Sequence, residues 1–315
     1  MMSWNRIAVY GHRGLFSSRI AAAFVASGAP VTILYRPESD ASNFPANVPT
    51  IKVDPFDEDA VVAALHDIDV VISLVGDNGV DAEQGFVRAI PRTQVKLFVP
   101  SDLGLRYGEE GMLIPLLRKK EDIQEAARQA GIPLTVILIG NFAEFTLGSI
   151  AMGIDIKGNR LLYTGNSAKE KAVMSTADYV AAAYVSIFTR NPIAKISNRA
   201  IGLIELAPTG EEIAEALQKK HGEEPKIFTQ SVEKAVEDFH THRNSDHPVL
   251  SRLSPAWFYR KLWGTGELTS MLGSDIWDVP GYRKATVDDL ILEGKVNPYR
   301  DLSQVLPYLE EAMFP

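Results

Sequence analysis

The sequence predicts an α/β protein: a doubly wound, Rossmann-type parallel sheet with a smaller, mostly helical C-terminal substrate lobe. Three observations carry this. A short β-rich run, Arg6 to Tyr10, passes through Gly11-His12-Arg13-Gly14 into an apolar helical face at Leu15, Ile20, Ala23 and Phe24, which is the order strand, glycine turn, helix. Apolar runs then recur with helical stretches between them, and strands this apolar need cover on both faces, the condition for parallel pairing. Past about Phe142 the alternation becomes irregular.

Taken in order, PVTILY (30–35) follows Gly28 as the second strand, Thr50 to Val53 is the third, and DVVISL (69–74) is the fourth, preceded by a helix over Glu58 to His66. Lys96 to Val99 and Leu134 to Ile139 continue the rhythm. The longest apolar stretch, Leu134 to Ile154, is interrupted by Asn141, Glu144 and glycines, so a buried strand followed by a helix explains it better than a membrane span. Ala177 to Phe188, Glu211 to His221 and Val232 to Phe239 have helical character, and Thr209 and Gly222 fit as start and stop of the second of these. Three of the four tryptophans, Trp257, Trp263 and Trp277, fall in a region otherwise rich in loop signals. The division expected is a dinucleotide-binding core over 1–142 and a substrate lobe over 143–315, with some segments of the lobe returning to the core. No Gly/Ser-rich or Pro-rich linker separates them, so a shared interface is expected rather than a tether.

Composition narrows the function. The chain has 315 residues, 46% of them apolar, enough for a sizeable core. Forty acidic against 32 basic side chains leave a formal charge of −8 with no long basic run, which repels a phosphate backbone, so nucleic acid is not an expected partner. With no cysteine, disulfides, thiolate zinc, iron–sulfur ligation and a cysteine nucleophile are excluded, in keeping with a reducing compartment. Met1 to Tyr10 has no apolar signal-peptide core, so a cytoplasmic, non-membrane protein is expected. His240-x-His242, with His247 near, is the one candidate metal set, but histidines two apart share a face only on a strand and the surroundings read as helix, so no metal is expected. No Gly-x-Ser-x-Gly elbow supports a hydrolase. Asp57-Glu58-Asp59 and Glu109-Glu110 read as helix-start or surface charges.

The glycine turn carries the sharpest chemistry. Gly11 lets the chain turn tightly, Gly14 lets backbone approach a pyrophosphate, and the following helix offers unpaired N–H groups to phosphate. Ser17, where a third glycine is common, is small enough for close helix–strand packing. At the end of the second strand an acidic side chain would take the ribose hydroxyls of NAD; this chain has Tyr35-Arg36. An arginine there pairs with a 2′-phosphate, and Arg13 in the turn can bracket it, so NADP(H) is the expected cofactor.

Several motifs together, GHRGLFSSRI (11–20), LYR ending at Arg36, DVVISLVG (69–76), VKLFVPSDLG (95–104), the helix of Lys120 running into AGIPLTVI, Gly140-Asn141-Phe142, KAVMSTAD (171–178) and PGYRKATVDDLI (280–291), resemble the isoflavone reductase-like and NmrA-like family of atypical short-chain dehydrogenases. The resemblance implies that Gly11, Arg13, Gly14, Leu15, Phe16 and Arg36 bind cofactor, that Ser73, Leu74, Val75 and Gly76 line its adenosine side, and that Pro100, Ser101, Asp102 and Leu103 form the loop beside the nicotinamide. Asn141 and Phe142 would border the junction with substrate. Lys120, eleven residues before Gly131, stands where reductases of this family have their active-site lysine, which would also touch the cofactor; Lys119 is the register alternative. Its role would be to give a proton as hydride reaches the substrate.

His12, Arg13 in place of a threonine, and Ser17 depart from the family pattern. The Tyr-x-x-x-Lys pair of ordinary short-chain dehydrogenases is absent, since Tyr107 is followed four residues later by Gly111. Trp257, Phe258, Tyr259, Trp263 and Trp277 suit either an aromatic substrate pocket or the core of the lobe. The activity implied is an NADPH-dependent reductase acting on a small aromatic or polyketide-like molecule. The competing reading is a non-catalytic redox sensor that binds the dinucleotide and acts through a protein partner; an isomerase or dehydratase is a third.

Overall fold

The computed structural model describes residues 4–243 and 245–314; the first three residues of the N-terminal stretch discussed above lie outside them. The first half runs β1 (Ile7–Tyr10), α1 (Ser17–Ala26), β2 (Val31–Tyr35), β3 (Thr50–Lys52), α2 (Glu58–Ala64), β4 (Val70–Ser73), α3 (Glu83–Ala89), β5 (Leu97–Val99), α4 (Gly108–Gly111), α5 (Pro115–Gln129), β6 (Thr135–Leu138), β7 (Asn141–Phe142) and α6 (Ala143–Gly148). The second half runs β8 (Ile154–Asp155), β9 (Arg160–Thr164), β10 (Met174–Ser175), α7 (Ala177–Phe188), α8 (Ile193–Ile196), β11 (Arg199–Leu203), α9 (Gly210–His221), β12 (Lys226–Gln230), α10 (Val232–Arg243), α11 (Pro248–Thr265), β13 (Ile276–Trp277), α12 (Val287–Ile291) and α13 (Leu306–Met313).

Every residue of β1 is buried because successive side chains enter two different cores. Ile7 and Val9 pack with Phe24 of α1 and with Tyr184 and Phe188 of α7. Ala8 and Tyr10 pack with Val61 of α2, Phe86 of α3 and Ile123 of α5. Burial on both faces explains the unbroken apolar runs in the sequence. The parallel sheet has the order β3-β2-β1-β4-β5. A parallel bridge between Phe98 and Leu134 joins β5 to a second run, β6-β11-β13.

Two elements of the parallel layer therefore come from beyond residue 142. β11 pairs with β6 through Arg199 to Gly202, and α7 covers the sheet beside α1. The small lobe is built from the sheet β12-β9-β8 and from α9, α10, α11 and α13, around Ile213, Phe239, Trp257, Trp263 and Leu309. α9 starts at Thr209 with a reciprocal capping box to Glu212 and stops at Gly222, φ +74°, the conformation glycine favours at a helix end.

The region expected to be loop-rich is instead the 18-residue helix α11, with Pro255 inside it. Breaker residues mislead here because tertiary packing outweighs them. An internal proline costs about 3 kcal/mol, whereas Trp257, Phe258 and Trp263 are each 1% exposed and each buried aromatic contributes roughly 2 to 3 kcal/mol. Trp277 lies in β13, half-buried, with its indole N–H on the Ser186 hydroxyl at 3.2 Å. Among the described residues no helix is long and apolar enough to cross a membrane.

Candidate active site

Strand β1 lies between β2 and β4, so the connections leave it in opposite directions, and ligands of such sheets bind at the carboxyl ends of the strands at that point. A cleft opens there in two arms of about 270 and about 250 Å³. The arm toward β2 has Gly11, Arg13, Gly14 and Arg36 in its wall; the arm toward α5 has Phe16, Asp102, Lys120 and Asn141. Gly14 and the stretch Leu74 to Asp77 belong to both and form the waist.

The β2-side arm is shaped by backbone. Gly11 has φ +89°, and a Cβ there would stand 2.9 Å from the Leu74 carbonyl carbon and the Val75 nitrogen, so only glycine lets the turn lie against the end of β4. The Gly14 N–H donates to Ser17 Oγ at 2.8 Å, a use of the third motif position that a glycine lacks. Arg13 pairs with Asp40 at 3.0 Å and Arg36 with Glu38 at 3.0 Å, all four largely exposed. His12 is buried, its Nε2 on the Asp40 carbonyl oxygen at 3.0 Å and its ring edge-on to Phe44. Burial lowers its pKa, the loop carbonyl opposing that shift only in part, so it works as a neutral pin between the turn and the loop after β2.

The α5-side arm is shaped by side chains. Lys120 Nζ donates to the Asp102 carbonyl oxygen at 2.7 Å. Lys119 instead pairs with Asp81 at 2.8 Å on the exposed side of α5, so Lys120 is the lysine in the cleft. The Asp102 side chain is buried and accepts from Gln124 Nε2 at 2.9 Å; burial raises its pKa, against the pull of Lys120. Beneath the loop, Glu83 accepts the Ser101 N–H at 2.8 Å, and its burial pushes its pKa up to about 7. Leu103, which ends this loop, has φ +55°, a strained choice for a branched side chain.

Tyr107 and Tyr259 bring their hydroxyls to 3.4 Å in the wall. Both phenols are raised by burial and stay protonated. Phe16 and Phe142 stack at 3.4 Å with an interplanar angle of 4°. Gly140, φ +68°, turns the chain into Asn141 where a Cβ would stand 2.6 Å from the Val173 carbonyl oxygen.

Two expected cofactor residues stand elsewhere. Ser73 and Pro100 are absent from the walls of both arms, while Leu74, Val75, Gly76, Ser101, Asp102 and Leu103 line them. Ser73 is still inside β4, fully buried and paired with Tyr10 in the sheet, and Pro100 directly follows β5; the chain joins the cleft wall one residue further on, at Leu74 and Ser101. Of the aromatic set, Tyr259 lines the cleft, while Trp257, Phe258 and Trp263 belong to the lobe core. His242 stacks on Trp257 at 3.8 Å with its ring nitrogens on the Asp238 carbonyl and the Tyr308 hydroxyl; its place is in packing.

Residues that reading the sequence missed are Glu83, Tyr107, Tyr299 and Arg300. No motif in the sequence singles out Glu83, and its 0% exposure is what distinguishes it. Tyr299 and Arg300 come from the segment before α13, more than 150 residues past the last cofactor motif, and no local pattern announces them.

The chain is 30% identical to the isoflavone reductase homolog IRL of Zea mays, over 55% of this chain and 58% of the relative. It is 29% identical to the phenylcoumaran benzylic ether reductase PT1 of Pinus taeda, over 48% of this chain and 54% of the relative. The chain thus spans little more than half the length of these curated relatives. Among solved structures it resembles the binary complex of leucoanthocyanidin reductase with NADPH from Vitis vinifera, with a TM-score of 0.75 and 19% identity over 92% of this chain and 99% of that one. That likeness concerns the fold. The model of the NmrA-like family matches residues 3–244, most of the chain, and the protein with this glycine turn and cleft belongs to that family.

Proposed function

We propose that this protein is an NADP(H)-dependent reductase of a small aromatic molecule, with Lys120 as proton donor. One observation carries the reading. A single cleft joins the glycine turn with its Arg13, and Arg36 at the end of β2, to a lysine ammonium walled by Phe142, Phe145, Tyr107 and Tyr259. The relatives are named as reductases, two after isoflavone and phenylcoumaran, and the solved relative holds NADPH.

The residues present fit a dinucleotide phosphate. The turn forbids a Cβ at Gly11, and Arg13 and Arg36 offer planar guanidinium groups to a 2′-phosphate. NADPH, when bound, supplies the hydride. This chain's own residues then do three things. Asp102, through its carbonyl oxygen, and Gln124, through the Asp102 carboxyl, fix the end of the loop and aim Lys120 Nζ into the cleft. Lys120 holds a proton there for the oxygen or carbon that gains negative charge. Leu116, Leu117 and Pro255 supply apolar wall to the α5-side arm.

NADPH binding and NADPH oxidation measured in parallel against phenolic and quinone-like compounds test the reading. The expected result is tight binding with turnover of at least one aromatic class. Tight binding without turnover across a broad panel would replace the enzyme by the dinucleotide sensor.

A further inference from the structure

The segment that precedes α13 returns across the mouth of the cleft. Tyr299 packs edge-on against Phe145 at 5.4 Å and lies 6.5 Å from Phe16 of the glycine turn. Gly148, at the end of α6, lies under it, where a Cβ would stand 3.3 Å from the Tyr299 Cβ. Tyr299 thereby seats this part of the chain on the turn. Arg300, the next residue, lines both arms of the cleft, and among the described residues it is the only contribution of the C-terminal half to the β2-side arm.

Its position at the waist matters because the waist is short of positive charge. Arg13 and Arg36 are paired with Asp40 and Glu38. The Gly14 amide is taken by Ser17 Oγ. Arg300 is exposed and, among the described residues, has no ion pair. A pyrophosphate resting on the glycine turn would therefore find in the cleft wall one guanidinium without an ion pair among the described residues.

We propose that Arg300 is a pyrophosphate clamp: the small lobe closes over the dinucleotide through this residue and offsets the amide donor that Ser17 withdraws from the turn. The proposal rests on the dinucleotide reading above. It places Arg300 as a positioning and binding residue common to NADPH and NADH, in contrast to Arg36, whose partner is the 2′-phosphate alone.

Calorimetric titration of wild type, Arg300→Ala and Arg300→Lys with NADPH, NADH and adenosine 2′-monophosphate tests it. Loss of a charge-assisted contact is worth about tenfold or more in affinity. Arg300→Ala is expected to weaken NADPH and NADH by the same factor, about tenfold, to leave adenosine 2′-monophosphate within about twofold, and Arg300→Lys to recover part of the loss. A thermal melt unchanged from wild type shows that the exposed substitution leaves the fold intact. Unchanged affinity of Arg300→Ala for both dinucleotides overturns the clamp while the cofactor reading stands. Weakening confined to NADPH and the monophosphate also overturns it, because Arg300 would then read the 2′-phosphate. Failure of the wild type to bind either dinucleotide overturns the cofactor reading and the clamp together.

Discussion

The two arms of the cleft are made in different ways. In the β2-side arm almost every wall residue comes from three short stretches, 10–17, 34–39 and 74–79, and the decisive features are a backbone angle at Gly11 and two exposed arginines. In the α5-side arm the wall draws on 14–17, 74–77, 101–107, 116–120, 140–145, 255–259 and 299–300, and its functional groups are buried or held by buried partners. The contrast teaches that a constant, charged ligand can be recognised by local backbone with cations at the rim. A variable apolar ligand needs a dry wall, and only distant parts of the chain can enclose one.

The largest effect should come in the β2-side arm. Gly11→Val places a branched side chain at φ +89° against the Leu74–Val75 peptide, and the expected outcome is loss of measurable dinucleotide binding with a melting temperature several degrees lower. Binding close to the wild-type value would show that the turn does not hold the phosphates. Next in size is Lys120→Ala, expected to lower turnover by roughly 10² while NADPH affinity stays within a few fold. Lys119→Ala, which only frees Asp81 on the surface, should change little. Equal effects of the two would erase the distinction between the cleft side and the exposed side of α5.

Arg36→Ala sharpens the comparison from the other side. It should cost NADPH about tenfold in affinity, and leave NADH unchanged because NADH has no 2′-phosphate. Equal losses for both cofactors would remove Arg36 from that role.

A smaller effect separates the arms by pH. Glu83 has its folded pKa raised by burial to about 7, above its ordinary value, with Ser73, the Ser101 N–H, Lys120 and Asp102 as its neighbours. The stability it contributes is present in full below the unfolded carboxyl range, and is lost as pH rises through about 7. Thermal melts should therefore show wild type losing stability between pH 5 and 8, and Glu83→Gln flattening that slope, with the Ser101 loop and Lys120 kept in place. Parallel slopes in the two proteins would mean Glu83 is not the titrating group. Smallest of all, Tyr259→Phe removes one hydroxyl from the α5-side wall and should raise KM for an aromatic substrate a few fold, with kcat and NADPH affinity unchanged.

The order strand, glycine turn, helix, the apolar runs buried on two faces, and the arginine at the end of β2 were all legible in the sequence, because each follows from backbone geometry or from a period of a few residues. The capping of α9 by Thr209 and its stop at Gly222 were legible for the same reason. Tertiary structure decided the rest. The helix α11 forms across Pro255 because three aromatic side chains find a core there. Tyr107 and Tyr259 meet from 152 residues apart, and Arg300 enters the cleft wall beside Tyr299, which packs near Phe145 and Phe16. Which of two adjacent lysines enters the cleft is settled by Asp81 on one side of α5 and the Asp102 carbonyl on the other. Side-chain direction and burial depend on partners supplied by distant segments, and no local pattern encodes where those partners will be.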